Sequence, residues 1–382
     1  MTTILTVAPV IRPGGGPGGY AYNLQSGLDK LSPEEKHPFV FEFQGRRDGR
    51  TALAEQGGNY KLKAYLKMAI ELGGLKPLAS ALRSWTSGDE KALRRAIMAS
   101  DIVVFHGPFF LQQMQYAARN GKRVIYMPHS PSIHADEYAM TFALNGMVMP
   151  EMYRRWKAEQ ERQCIAIANH VIFPSRNAAQ NYFDAFAELN DKSLFYIASG
   201  VDIDVVPQKP RQPGPVRFLF AGRYVTHKGY DLFCAAADRL AATAPDMAFI
   251  TAGTGPLKSQ SDSITDLGWR SDIFALLGEV DVVVIPNRIA YYDLFPLECA
   301  AIGKPLVMTA VGGSIDQLAA LPDVVACPKP EPDALVQAIE QAYTKFRADP
   351  EWGKQNAAIA EAQFTSPVMA RSWVALFKEM TR

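Results

Sequence analysis

Short runs of β-branched and aromatic residues, each followed by a helical pattern, recur along the whole chain. This alternation limits the fold more than any other feature. In the first half the runs are "TILTVAP", "FVFEFQG", "IVVFHG", "RVIYMPH", "HVIFPS" and "LFYIASG". In the second half they are "VRFLFAG", "AFITAGTG", "DVVVIP" and "PLVMTA", with a short "DVVAC" after them. Strands that are apolar almost throughout belong to parallel sheets covered on both faces. Strand–helix alternation makes the class α/β, with doubly wound, Rossmann-like sheets.

A chain of 382 residues exceeds one ordinary core and suits two domains. "DIDVVPQKPRQPGPV" carries four prolines between two strand patterns and reads as the linker. The expected division is residues 1–205, residues 206–362 and a closing helix over 363–382. That helix is marked by Val368, Trp373, Leu376 and Phe377 at helical spacing.

Hydrophobic residues make up 48% and charged residues 21%, as in soluble globular proteins. A formal net charge of +1 gives no reason to expect nucleic acid as a partner. Cys164, Cys234, Cys299 and Cys327 are scattered, without C-x-x-C or metal-ligand spacing. A reduced, cytoplasmic setting without a metal site is expected. No leader or membrane-spanning run is recognised. Peripheral contact at the inner face of the cytoplasmic membrane stays open.

Residues 44–95 break the rhythm, with eleven Lys/Arg against five Asp/Glu. "KLKAYLKMAIELGGLKPLASALRSW" reads as two short helices interrupted at Gly73-Gly74. The segment is either a helical insertion with a solvated basic face or a surface for anionic lipid or an anionic acceptor.

In open α/β sheets, ligands bind beyond the carboxyl ends of the strands. Polar residues and glycines collect there: Gly14–Gly19, His106, His129, Ser175, Arg223, Gly253, Gly255 and Asn287. If the two sheet edges face each other, they line one cleft. His106 and His129 are either structural strand-end residues or site residues, and are expected to meet only across such a cleft. No third ligand supports zinc. "DID" at Asp202–Asp204 matches a metal-dependent transferase pattern too short to carry weight.

"AGRYVTHKGYDLF" places Arg223 and Lys228 on one loop before a helix, where backbone N–H groups add to the field felt by a diphosphate. "YYDLFPLECAAIGKPLV" opens a helix with Pro296 in its first turn and Glu298 soon after. Glu298 is either favourable charge at a helix start or an acceptor for a ribose diol.

Together with "GGPGGYAYNL", "DIVVFHG", "VIYMPHS", "IASGVDID" and "LECAAIGKPLVMTAVGG", these segments resemble, in order, the GT-B glycosyltransferases, specifically the retaining, nucleotide-sugar-dependent family 4. The resemblance implies two Rossmann-like domains facing a central cleft. It also implies a nucleoside-diphosphate sugar as donor substrate, no cofactor, and a saccharide or lipid-linked acceptor of surface polysaccharide or glycolipid synthesis. Arg223 and Lys228 would hold the diphosphate, and His129 would lie near the reacting sugar, with His106 in the same cleft. Glu298 would bind ribose. Asp293, Leu294, Phe295 and Leu297 would offer backbone contacts. Gly253, Gly255, Asn287, Trp269 and Arg270 would complete the donor side. Gly16, Gly18, Gly19 and Tyr20 would form a loop at diphosphate and acceptor. The family commonly carries a glutamate eight positions before Glu298, where this chain has Ala290. Asp293 either replaces that contact or caps the helix.

Three rivals remain. Gly14, Gly16 and Gly19 satisfy G-x-G-x-x-G, and Glu42 is taken to end the second strand, as in an NAD(P)-dependent oxidoreductase. A non-catalytic nucleotide-sugar-binding partner of another transferase and a GT-B sugar epimerase are the others.

Overall fold

The computed structural model describes residues 1–47, 60–73, 88–202, 211, 213–259 and 261–381. It divides into two compact units. The first comprises Met1–Phe173, Gln180–Ile197 and Ala370–Arg382, and the second Pro174–Ala179 and Ala198–Met369. The expected linker around residue 205 and residues 48–59 and 74–87 of the basic insertion, including its expected second helix, lie outside the described residues.

The first unit contains β1 (Thr2–Val10), α1 (Gly16–Lys30), α2 (Pro33–Lys36), β2 (Phe39–Arg46), α3 (Tyr60–Leu72), α4 (Gly88–Ala99) and β3 (Ile102–His106). There follow α5 (Leu111–Arg119), β4 (Arg123–Met127), α6 (His134–Leu144), α7 (Glu151–Ile167), β5 (His170–Phe173), α8 (Arg176–Ala185), whose first four residues belong to the second unit, and β6 (Ser193–Tyr196). Its six strands pair in parallel in the order β2-β1-β3-β4-β5-β6. The direction of winding reverses between β1 and β3, so the loops after those strands flank the switch point, where α/β sheets hold ligands.

The second unit holds β7 (Val216–Ala221), α9 (Tyr230–Ala241), β8 (Met247–Ala252), β9 (Ile264–Asp266), α10 (Ile273–Leu277), β10 (Val282–Ile285) and α11 (Leu294–Ala301). It continues through β11 (Leu306–Thr309), α12 (Ser314–Ala320), β12 (Val324–Cys327), α13 (Pro332–Ala348), α14 (Lys354–Gln363) and the start of α15 (Ser366–Met380). The strand order β12-β11-β10-β7-β8-β9, counted from the unit's own first strand, is the 3-2-1-4-5-6 order of nucleotide-binding sheets. Five strands are legible in this half of the sequence. The sixth, β9, has only the residues Ile-Thr-Asp at a sheet edge and offers no apolar run to read.

Burial explains the strand pattern. Phe218, Phe220, Val282 and Val284 pack on one face of the second sheet against Phe233 and Ala237 of α9 and Ile339 of α13. Leu219, Val283, Ile285 and Met308 pack on the other against Leu276 and Leu297. Neighbouring residues on one strand thus enter different cores, which is why the strands are apolar without alternation.

α15 ends in the first unit, where Trp373 is buried and donates its indole N–H to Tyr20 Oη at 2.9 Å. Among the described residues no helix is long and apolar enough to cross a membrane.

Candidate functional site

The second unit's switch point lies between β7 and β10, and the loops after these strands meet there. After β7 the chain passes Gly222 and Arg223, makes a turn over Thr226–Lys228, and enters α9 through Gly229. Gly229 has φ +72°, and a Cβ on it would overlap the carbonyl oxygen of Pro286, just after β10. A Cβ on Gly253, after β8, would overlap the Gly222 carbonyl, and one on Gly313, after β11, the Tyr291 carbonyl. Four strand-end loops are therefore seated backbone on backbone, and side chains at these positions would force them apart. The Arg288 fork binds both oxygens of Asp231 at 2.7 Å and the Thr226 carbonyl at 2.6 Å, fixing the turn that carries Lys228.

Lys228 Nζ lies 2.5 Å from Asp293 Oδ2, which also accepts from Asn287 Nδ2 at 2.8 Å. Asp293 occupies the N-cap position of α11, yet its side chain bonds none of the helix amides. Of the two roles expected for it, the capping one is corrected: the carboxylate turns to Lys228 because a fixed cation is the stronger partner. Burial raises the Asp293 pKa, but Lys228 and Asn287 outweigh it and hold the group below the usual carboxylate range. Gln317 donates to the Asp293 carbonyl at 2.8 Å. Ala290, where the resemblance would place an acid, is buried, and its carbonyl accepts the Gly313 N–H.

Arg223 is exposed, with Nη2 3.2 Å from His227 Nε2. Burial, then the charges of Arg223 and Lys228, push the His227 pKa down to about 4, so its ring adds no positive charge at neutral pH. Glu298 stands in the second turn of α11, later than expected. Among the described residues its carboxylate makes no hydrogen bond or ion pair, and burial pushes its pKa up to about 7. A half-buried carboxylate without donors gains most from a ligand that brings hydroxyls.

Other expected donor residues stand apart. Leu294 and Leu297 are core side chains and Phe295 packs against the same core, so only their backbone could face a ligand. Gly253 and Gly255 serve loop packing, the latter against the Tyr224 carbonyl. Trp269 is exposed after β9, and Arg270 is held by both oxygens of Asp272, at 2.7 and 2.6 Å. His227, Arg288 and Gln317 escaped the sequence reading. His227 and Arg288 sat inside or beside quoted motifs, whereas nothing in the sequence marks Gln317.

At the first unit's switch point the expected loop is largely helix. Gly16, Gly18 and Gly19 form the first turn of α1 and Tyr20 opens the second, after a turn at Gly14-Gly15. A Cβ on Gly18 would lie 3.1 Å from the Val10 carbonyl, so this glycine lets the helix start close to β1. Tyr20 is not a ligand-facing phenol: it is buried, and its hydroxyl is taken by Trp373. His106 and His129 meet directly within this unit, Nδ1 to Nε2 at 2.7 Å, because β3 and β4 are neighbours. This corrects the expectation of a meeting across a cleft. The Tyr20 ring packs on both, with centroids 5.7 and 5.0 Å away. Burial drives the pKa of His106 down to about 3 and that of His129 well below its ordinary value.

β2 runs on to Arg46, so Glu42 stands mid-strand and exposed opposite Leu5. Among the described residues the end of this strand carries Gly45 and Arg46 and no acid.

Residues 215–345, from β7 into α13, match the family described as Glycosyl transferases group 1. The glycogen synthase of Mycobacterium tuberculosis (strain CDC 1551 / Oshkosh) is 28% identical over 187 residues, which cover 44% of this chain and 44% of that protein. The match thus spans less than half the length of the curated relative. The solved sucrose-phosphate synthase from Thermosynechococcus elongatus superposes with a TM-score of 0.63 at 16% identity, covering 100% of this chain and 99% of that one. Anabaena Alr3699/HepE in complex with UDP-glucose gives 0.61 at 16% identity, covering 100% of both. The fold is that of GT-B glycosyltransferases: two parallel-sheet α/β units of six strands each.

Proposed function

We propose that this chain, whose second unit carries a group 1 glycosyltransferase domain, moves a sugar from a nucleoside-diphosphate sugar to an acceptor hydroxyl with retention at the anomeric carbon, without a metal. The observation that carries this reading is the pair Arg223 and Lys228, fixed at the switch point of a nucleotide-type sheet by His227, Asp293, Asn287 and Arg288. Two positioned cations suit a diphosphate whose charge grows as the glycosidic bond breaks.

The anomeric carbon–oxygen bond to the β-phosphate breaks, and the acceptor oxygen forms the new bond on the same face. The acceptor proton passes to the departing phosphate oxygen. Arg223 and Lys228 stabilise the leaving group, the task a divalent metal performs elsewhere. Glu298 accepts hydrogen bonds from the ribose diol. His129 lies near the reacting sugar, and the α1 start serves the diphosphate and the acceptor, a saccharide or lipid-linked acceptor of surface polysaccharide or glycolipid synthesis. Against the oxidoreductase reading stands the position of Glu42, mid-strand rather than at the strand end. The test is transfer and donor hydrolysis with UDP-, GDP-, ADP- and CDP-sugars, with Arg223→Ala alongside. Undiminished transfer by Arg223→Ala would overturn the mechanism. Donor binding without any turnover would favour the non-catalytic partner.

A further inference from the structure

His106 and His129 lie nitrogen to nitrogen rather than face to face. His106 pairs with Met127 in the register of β3 and β4, and His129 follows two residues later, so alternation returns its ring to the same side of the sheet. The ring planes are 24° from parallel and the centroids 4.9 Å apart. That separation is close to the largest that a nitrogen–nitrogen distance of 2.7 Å allows. The rings therefore lie nearly in one plane, with one N–H between them. Tyr20, whose hydroxyl is held by Trp373, packs on both rings and limits their rotation.

The other nitrogen of His106 decides which ring donates. His106 is fully buried, and among the described residues its Nε2 has no hydrogen-bond partner. Burial keeps both rings neutral at neutral pH, so each carries one proton. If His129 donated, the His106 proton would sit on Nε2, an N–H buried without an acceptor. If His106 donates from Nδ1, only a lone pair is left there. An orphaned N–H is the rarer of the two in protein interiors. The proton of His129 then lies on Nδ1, and its one ring lone pair, on Nε2, is engaged by His106.

We propose that His106 is a positioning residue. It donates from Nδ1 to His129 Nε2, holds His129 in the tautomer with its proton on Nδ1, and so withholds the lone pair with which His129 would take a proton from the acceptor. This role rests on the transfer reading, in which His129 lies near the reacting sugar. It deepens that reading, because the acceptor proton is left to the departing phosphate oxygen.

The test begins with the full chain, isotopically labelled at the histidine ring nitrogens, in the absence of any sugar nucleotide. Long-range proton–nitrogen correlation spectra distinguish ring nitrogens that carry a proton from those that do not. In both histidines Nδ1 is expected to be protonated and Nε2 bare. A proton on Nε2 of either ring overturns the proposal. His106→Phe keeps most of the ring volume and removes the donor. It should shift the His129 proton toward Nε2 and lower kcat roughly tenfold or more through a misheld ring. His106→Asn places an amide N–H near the lost Nδ1 and should restore both the His129 signals and most of kcat. A histidine that only fills space would leave the His129 tautomer unmoved in both variants, which overturns the proposal. Transfer by His106→Phe equal to wild type overturns it too. The wild-type signals decide even where His106→Phe proves too unstable to assay. No transfer by the wild type overturns the reading beneath, and the role in transfer with it, whatever the nitrogen signals show.

Discussion

Lys228 and Asp293 are 65 positions apart in sequence, and their side chains meet at 2.5 Å where the loops after β7 and β10 converge. The pair sets the position of a cation rather than neutralising it in a core, because both side chains are about a quarter exposed. On the proposed reading, the ammonium is already aimed when a diphosphate arrives. This arrangement yields a double-mutant test. Lys228→Ala should lower kcat by ~10²-fold, as for loss of one preorganised donor to a developing anion. Asp293→Asn should cost about tenfold, through misplacement of the lysine. The double variant should be no worse than Lys228→Ala alone, since the aspartate then has nothing to aim. Additive losses would show that Asp293 acts on the donor by itself.

Glu298 gives a pH prediction with a definite sign. Its pKa rises from an ordinary 4.5 to about 7 through burial. Below the ordinary value the group is protonated in both folded and unfolded chains and contributes no slope. Between the two values the folded chain keeps a proton that the unfolded chain has lost, so stability falls as pH rises and stays lower above pH 7. Glu298→Gln should remove this slope, gaining relative to wild type at pH 8 and matching it near pH 4 in urea titrations. Donor affinity should move oppositely, strengthening in wild type as the carboxylate ionises between pH 6 and 8. A flat wild-type affinity across that range would count against the ribose role.

His106 carries the opposite sign. Burial takes its pKa from an ordinary 6.5 to about 3. As pH falls below 6.5 the unfolded chain gains a proton that the folded chain refuses, so stability is lost progressively toward pH 3. In His106→Asn this share of the acid sensitivity should disappear, even if the variant is less stable at pH 7. Melting temperatures of both proteins from pH 7 to pH 4 should converge; parallel curves would mean the histidine does not contribute.

Gly313→Ala should destabilise the second unit by about 2 kcal/mol or more, because its Cβ overlaps the Tyr291 carbonyl in a seam that has no side chain to yield. Gly15→Ala, where a Cβ meets nothing within 4 Å, should be close to neutral. Chemical denaturation of the two variants side by side measures the contrast.

Trp373→Phe should cost about 1 kcal/mol through the lost hydrogen bond to Tyr20, with most of the ring volume retained. The same denaturation experiment reads it. A neutral outcome would mean the Tyr20 hydroxyl finds another partner.

The sheets were legible in the sequence because buried parallel strands have no polar residues to interrupt them, as Val282–Ile285 illustrates. The strand-end rule then pointed to Arg223 and Asn287, and the loop before a helix to Lys228, without knowledge of their distances. Contacts that depend on the loops meeting one another were not legible. The aspartate that aims Lys228 reads locally as a helix cap, and only the neighbouring loop reveals the cation that captures it. The two histidines read as distant because strand adjacency is set by topology rather than by spacing. The glycines after β1 read as a loop, although a helix tolerates Pro17 in its first turn and begins among them.

The glycine-to-carbonyl seats give the second unit's edge the behaviour of a single cast part. Lengthening one of the loops after β7, β8, β10 or β11 would unseat its neighbours, so new donor preferences must arise by exchanging side chains on a fixed frame. Around Gly14, Gly15 and Gly16 a Cβ would meet no neighbour, and what constrains Gly14 and Gly16 is their own φ of +117° and +72° rather than a seat on another loop. In directed evolution, libraries of loop length belong in the first unit and libraries of residue identity in the second.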